Sequence, residues 1–180
     1  MKISINTKRY FFEATLQSKL TFVQGISSAG KSTFADIIDS VAARDKIMCS
    51  DGFTLVHLTD SIFQSILRKV INFYKRKGID LPESTDKSSR ALRNKLLNKY
   101  WGDVNNREFF SSILVIDEET FVESDDFACF YNNDKENYYF IIDRSHLHKI
   151  NYGIEDCYEF IKNGREHYLK PLYHANIPQN

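Results

Sequence analysis

The stretch TFVQGISSAGKSTFADII, residues 21–38, decides how the rest of the chain is read. Leu20, Phe22 and Val23 make a short apolar run of strand type. A loop bounded by Gly25 and Gly30 follows, and then Lys31, Ser32 and Thr33. Beyond them Phe34, Ile37, Ile38 and Val41 recur at helical spacing. The spacing predicts a strand, a glycine-bounded turn and a helix from about residue 31 to about 43.

Working outward, residues 2–7, 9–17 and 20–25 are rich in β-branched and aromatic side chains and predict strands. Residues 46–58 predict one or two short strands around Ser50-Asp51-Gly52. The stripe Ile62, Phe63, Ile66, Leu67, Val70, Ile71 and Tyr74 predicts a helix capped by Asp60 or Ser61, with Gly78 just past its end. A Pro82-containing loop at 79–87 leads to a second helix, 88–100, presenting Leu92, Leu96 and Leu97. Ile113-Leu-Val-Ile116 ends in Asp117, and Tyr138-Tyr-Phe-Ile-Ile142 ends in Asp143. Both have the length and β-branched content of strands buried on two faces, as in a parallel sheet. Asn163-Gly164 predicts a hairpin over 157–173, because a type I′ turn needs positive φ at both central residues. The order of elements is that of an α/β fold, in one domain over 1–180 with a helical insertion at 60–101.

Composition narrows the function. With 180 residues, 42% apolar and 27% charged, the chain has the makeup of a globular protein, with no apolar run long enough to span a membrane. The first ten residues have no signal-peptide core. Cys49, Cys129 and Cys157 are odd in number and form no CxxC pair, so they read as reduced thiols in a cytoplasmic protein. Charge is balanced overall but blocked. Residues 60–101 hold ten Lys or Arg and four acids, and residues 102–143 hold eleven acids and two bases. The basic stretch 68–99 could meet nucleic acid or carry Arg90 or Arg93 on a lid, but a solvated helix surface is the favoured reading. The opposed blocks would also permit a homo-oligomer or a protein partner. The acids Asp125, Asp126, Asp134 and Glu136 read as a solvated loop. His146 and His148 bracket Leu147 without completing a metal set.

The loop itself fits G-x-x-x-x-G-K-[ST] at every fixed position, a match that chance would give on the order of a few times in a thousand such sequences. Glycines let backbone N–H groups turn inward as an anion nest at a helix N-terminus. In such a loop Lys31 would reach phosphate oxygens and the Ser32 hydroxyl would join a Mg²⁺ shell.

The segment resembles the Walker A motif of P-loop NTPases, and Ile113-Leu-Val-Ile-Asp117-Glu118-Glu119 resembles their Walker B strand. The resemblance implies a three-layer sheet, mostly parallel, with an antiparallel N-terminal β element and a C-terminal hairpin. It implies ATP bound by Gly25, Ile26, Ser27, Ser28, Ala29, Gly30, Lys31, Ser32 and Thr33, and Mg²⁺ held by Ser32 and Asp117. Glu118 resembles the water-polarising glutamate of the ABC-type and AAA-type branch, so Glu118 and Lys31 would be catalytic. Asp143 or Arg144 would face the nucleotide as a sensor. Tyr10, sharing a face with Phe12, would stack on adenine, or else pack in the core.

By this likeness the chain would be a Mg-dependent ATPase, a nucleotide-driven switch or motor subunit for a partner. The alternatives are a P-loop kinase for a nucleotide or other small molecule and a non-catalytic ATP-binding module of a defence or mobile-element complex. The chain departs from the family in having no LSGGQ-like signature, no N-K-x-D motif and no helical lid after the core. Its C-terminal pattern, Leu147, Ile150-Asn-Tyr-Gly and a hairpin, looks like small ATP-binding proteins of bacterial mobile elements.

Overall fold

Among the described residues nine strands form one sheet, and their order in it differs sharply from their order in the chain. The computed structural model describes residues 1–24, 31–40, 47–144 and 147–172, and of 31–33 the backbone alone. The elements run β1 (Lys2–Asn6), β2 (Phe11–Thr15), β3 (Leu20–Gln24), α1 (Lys31–Asp39), β4 (Ile47–Cys49), β5 (Thr54–His57), α2 (Asp60–Lys75), α3 (Lys87–Trp101), β6 (Ser112–Asp117), α4 (Asp125–Asn133), β7 (Tyr138–Asp143), β8 (Cys157–Asn163) and β9 (Glu166–Pro171). The sheet order is β4-β1-β2-β9-β8-β3-β7-β6-β5. No helix among the described residues is long and apolar enough to cross a membrane.

The centre of the sheet is parallel. β3 pairs with β7, from Leu20 opposite Tyr139 to Gln24 opposite Asp143. β7 pairs with β6 and β6 with β5 in the same sense. Strands β3, β6 and β7 are buried on both faces, as the unbroken apolar runs of β6 and β7 require, and β3 buries Thr21 along with its apolar residues. Period-two alternation then sends Val23, Ile113, Val115, Phe140 and Ile142 to one side, and Leu20, Phe22, Leu114, Ile116, Tyr139 and Ile141 to the other.

The first side packs on α1 through Phe34 and Ile38. Phe34 lies 4.8 Å from Phe12 and 5.0 Å from Phe140, ring centroid to centroid. The second side is covered by α2, α3 and α4. α2 buries Phe63, Ile66, Leu67, Val70 and Tyr74, while Ile62 and Ile71, at the margins of its stripe, stay exposed. α3 buries Leu97, Tyr100 and Trp101 and leaves Leu92 exposed.

Two hairpins and β4, which pairs antiparallel with β1, complete the sheet. β1 and β2 are antiparallel, with Ile3, Ile5, Phe12 and Ala14 buried and their neighbours turned to solvent. β8 and β9 are antiparallel around Asn163-Gly164, where Gly164 adopts φ +60°. A parallel pairing of β2 with β9 sews one hairpin to the other, and the stack of Phe12 on Phe160 (5.4 Å between ring centroids) lies under that join.

The sheet cannot be flat. Its outermost strands, β4 and β5, are consecutive in the chain and separated only by residues 50–53. Eight strand spacings of a flat sheet would hold them about 38 Å apart. The connection can span at most about 18 Å. The sheet therefore curls around α1 into a nearly closed barrel whose last gap lies between β4 and β5. The tight link is made by Asp51 and Gly52, both at positive φ (60° and 74°).

This corrects the three-layer, mostly parallel P-loop sheet implied by the Walker-type likeness. Three of the strand pairings, β1–β2, β1–β4 and β8–β9, are antiparallel, and the sheet is mixed and curled. A nine-residue helix inside the curl replaces one of the two helical layers. Residues 50–52 turn the chain as expected, and the strands on either side of them are the two edges of the sheet, which meet at the seam.

Candidate functional site

The residues singled out by sequence fall into two groups, with Tyr10 apart from both. Gly25, Ile26, Ser27, Ser28, Ala29 and Gly30 lie outside the described residues, and Lys31, Ser32 and Thr33 are described only as the first turn of α1. A second group meets at the carboxyl ends of the parallel strands. Gln24 and Asp143 are register partners, and Asp117 lies opposite Ile142. Glu118 turns out of β6 at φ +53°, its N–H donating to the Ile142 carbonyl at 2.8 Å. Its Oε1 accepts from Arg144 Nε at 2.8 Å. The structure thus brings Asp117, Glu118, Asp143 and Arg144 together. The Glu118–Arg144 pair is well exposed, which makes it a weak contributor to stability.

Tyr10 belongs to neither group. It is 3% exposed and stacks on His167 with 4.1 Å between ring centroids, so its ring is core and offers no face to a base.

The charge blocks find each other inside the chain. Arg93 on α3 holds Asp126 on α4 with two hydrogen bonds, of 2.7 and 2.8 Å, and also donates to the Pro82 carbonyl at 2.9 Å. Arg90 and Lys149 both pair with Asp125, and Lys69 pairs with Glu108. Arg90 and Arg93 are therefore engaged in holding α3 against α4. The segment around Asp125 and Asp126 is a helix rather than a solvated loop. Its N-cap is Ser124, whose side chain accepts from Phe127 N–H at 3.1 Å. Phe127, Phe130 and Tyr131 at helical spacing were the signal for it.

A large space lies elsewhere, at the seam of the barrel. A cleft of about 530 Å³ opens between the two edge strands, lined by Ile47 and Cys49 of β4, Phe53, and Thr54, Leu55, Val56 and His57 of β5. Among the described residues Ile38 and Asp39, at the end of α1, also line it. Asp39 Oδ2 lies 2.7 Å from His57 Nδ1, tying the helix to the strand. Burial pushes the Cys49 thiol up to about 11, so at neutral pH it is protonated and acts as part of the apolar wall.

The backbone of β5 is half used. Thr54 N–H donates to Ser111 and Leu58 N–H to Val115, so Thr54, Val56 and Leu58 turn toward β6. Leu55 and His57 turn their N–H and C=O groups the other way, into the seam, where no described strand pairs with them. Sequence reading missed this site. Its residues are few, short-range and ordinary, and only the meeting of β4 and β5 from opposite ends of the sheet makes them a surface.

Among the described residues no group of three or more His, Cys, Asp or Glu side chains is arranged to hold a metal ion. The chain matches no protein-family model, no curated protein and no solved structure. Together with the mixed, curled sheet, these findings overturn the Walker-based expectations. Membership of the P-loop NTPases, ATP and Mg²⁺ as ligands, Mg-dependent ATPase or kinase activity and an ATP-binding module are all unsupported.

Proposed function

We propose that this chain is a protein-binding module that takes an extended segment of a partner into the seam between β4 and β5. The observation that carries the reading is the half-used edge of β5, facing an apolar cleft of about 530 Å³. An unpaired strand edge is a template for another strand, and natural sheets normally cover or blunt it. Strand addition gives affinity through main-chain hydrogen bonds and selectivity through pockets for alternate side chains. Leu55 and His57 supply two donors and two acceptors for such a strand, each bond worth about 1 kcal/mol net. Ile38, Ile47, Phe53 and Leu55 supply the pockets.

Lys69, Arg90 and Arg93 of the basic block are matched by acids of this chain, and the seam offers an apolar lining and a strand edge, which suit a protein partner. We place the interaction in the cytoplasm, a compartment suited to Cys49, Cys129 and Cys157, none of which is in a disulfide.

The test is selection of a random twelve-residue displayed peptide library on the folded protein, followed by residue-resolved amide exchange with a selected peptide bound. Slowed exchange at Leu55 and His57 is the expected result. Peptides that bind while leaving both amides at their free rates would refute strand addition.

A further inference from the structure

We infer, resting on that reading of the seam, that the incoming segment carries a lysine or arginine that pairs with Asp39. The described lining of the cleft is apolar apart from Thr54, Asp39 and His57. It holds one carboxylate and neither a lysine nor an arginine. Asp39 is the last residue of α1, where the helix presents its unbonded carbonyl groups and the negative end of its dipole. A carboxylate is disfavoured at that position, and the last turn of α1 contains no basic residue to offset it. Asp36, exposed one turn earlier, adds to the same negative end.

The geometry around Asp39 makes it a receptor rather than a solvated tail. His57 is only 14% exposed at its side chain and holds the carboxylate from the cleft wall, while Asp39 itself remains 60% exposed. A carboxylate offers about four lone-pair sites, and one contact to a histidine leaves room for an ammonium or guanidinium. Ile38 and Ile47 provide apolar surface along which the aliphatic stem of such a residue would lie. The same argument speaks against a second copy that adds its β5 edge as occupant. The β5 edge, Thr54-Leu-Val-His57, would bring no lysine or arginine to Asp39.

The test uses peptides selected from the library on the wild-type protein and on Asp39→Lys. Wild type is expected to enrich sequences with apolar residues at alternate positions and a Lys or Arg at a fixed offset from them. Asp39→Lys is expected to enrich Asp or Glu at that offset. For one selected peptide, Asp39→Asn, which keeps size and shape, should weaken binding about tenfold. Replacing the peptide's basic residue by norleucine should cost the same, with no further loss when both changes are combined.

Peptides that lack a basic residue yet slow exchange at Leu55 and His57 would overturn this inference and leave the seam reading standing. Basic peptides that depend on Asp39 but leave those amides unprotected would overturn strand addition instead. A free protein that is already dimeric, with both amides protected, would make a second copy the occupant and overturn the inference. Failure of the library to enrich any peptide would overturn both.

Discussion

Arg93 grips Asp126 through its Nε at 2.7 Å and its Nη2 at 2.8 Å, and both side chains are more than four-fifths buried. This one pair explains what the opposed charge blocks of the sequence are for. With Arg90–Asp125 it fastens α3 to α4 over the outer face of the sheet, while Lys69–Glu108 ties α2 to the segment before β6. Removing one partner strands the other in a poorly solvated place. Arg93→Ala or Asp126→Ala alone should cost about 3 kcal/mol, whereas the double change Arg93→Met with Asp126→Leu should cost much less. Urea unfolding of the three variants measures the difference.

The barrel should depend on Phe34 more than on any other side chain of α1. It is fully buried, and it touches Phe12, Phe140 and Phe160, which come from three separate strands. Phe34→Ala should lower stability by about 3–5 kcal/mol, while Phe34→Leu should cost about half as much. The midpoint of chemical unfolding reads both.

His167 should make the fold acid-sensitive. It is 5% exposed under Tyr10, its Nδ1 lies 3.0 Å from the Arg165 carbonyl, and burial lowers its pKa below the ordinary histidine value. The unfolded chain therefore takes up this proton at higher pH than the folded one. The contribution is fully present above about pH 6.5 and is lost as pH falls from there through the folded pKa. His167→Phe, which retains a ring against Tyr10, should flatten the fall in stability between pH 6.5 and 5 relative to wild type. Thermal melts across that range, variant against wild type, isolate this group from the carboxylates. A wild-type slope that survives in His167→Phe would show that the histidine is not its source.

Ser124 should be worth about 1 kcal/mol as the cap of α4, through its bond to Phe127 N–H. Ser124→Ala should lose that amount and Ser124→Asp should retain most of it, read by the same unfolding curves.

What could be read from sequence was whatever depends on near neighbours. The stripe from Phe63 to Tyr74, the unbroken runs ending at Asp117 and Asp143, and the Asn163-Gly164 turn all carry local periodicity or backbone preference, and each element stands near its expected place. The order of the strands was not legible. It rests on contacts such as Phe12 with Phe160, far apart in the chain, and on the pairing of β2 with β9 that closes them together. A glycine-bounded loop constrains its own backbone but says nothing about which strands flank it, so the likeness drawn from residues 25–33 and 113–119 carried a sheet that this chain does not form. The helix at Asp125–Asn133 was hidden because its acids drew more notice than the Ser124 cap and the Phe127, Phe130, Tyr131 stripe. The seam was hidden because Asp39 and His57 are ordinary residues until α1 and β5 set them 2.7 Å apart.

The central claim is that the barrel is left open at β5, and amide exchange in the free protein tests it most directly. With Val56 and Leu58 turned toward β6, and Leu55 and His57 turned into the seam, the expected result is alternation. Val56 and Leu58 should exchange slowly, and Leu55 and His57 at least a hundredfold faster, until a selected peptide slows them. Uniformly slow exchange from Leu55 to Leu58 in the free, monomeric protein would mean that the edge is already paired, and would contradict the account.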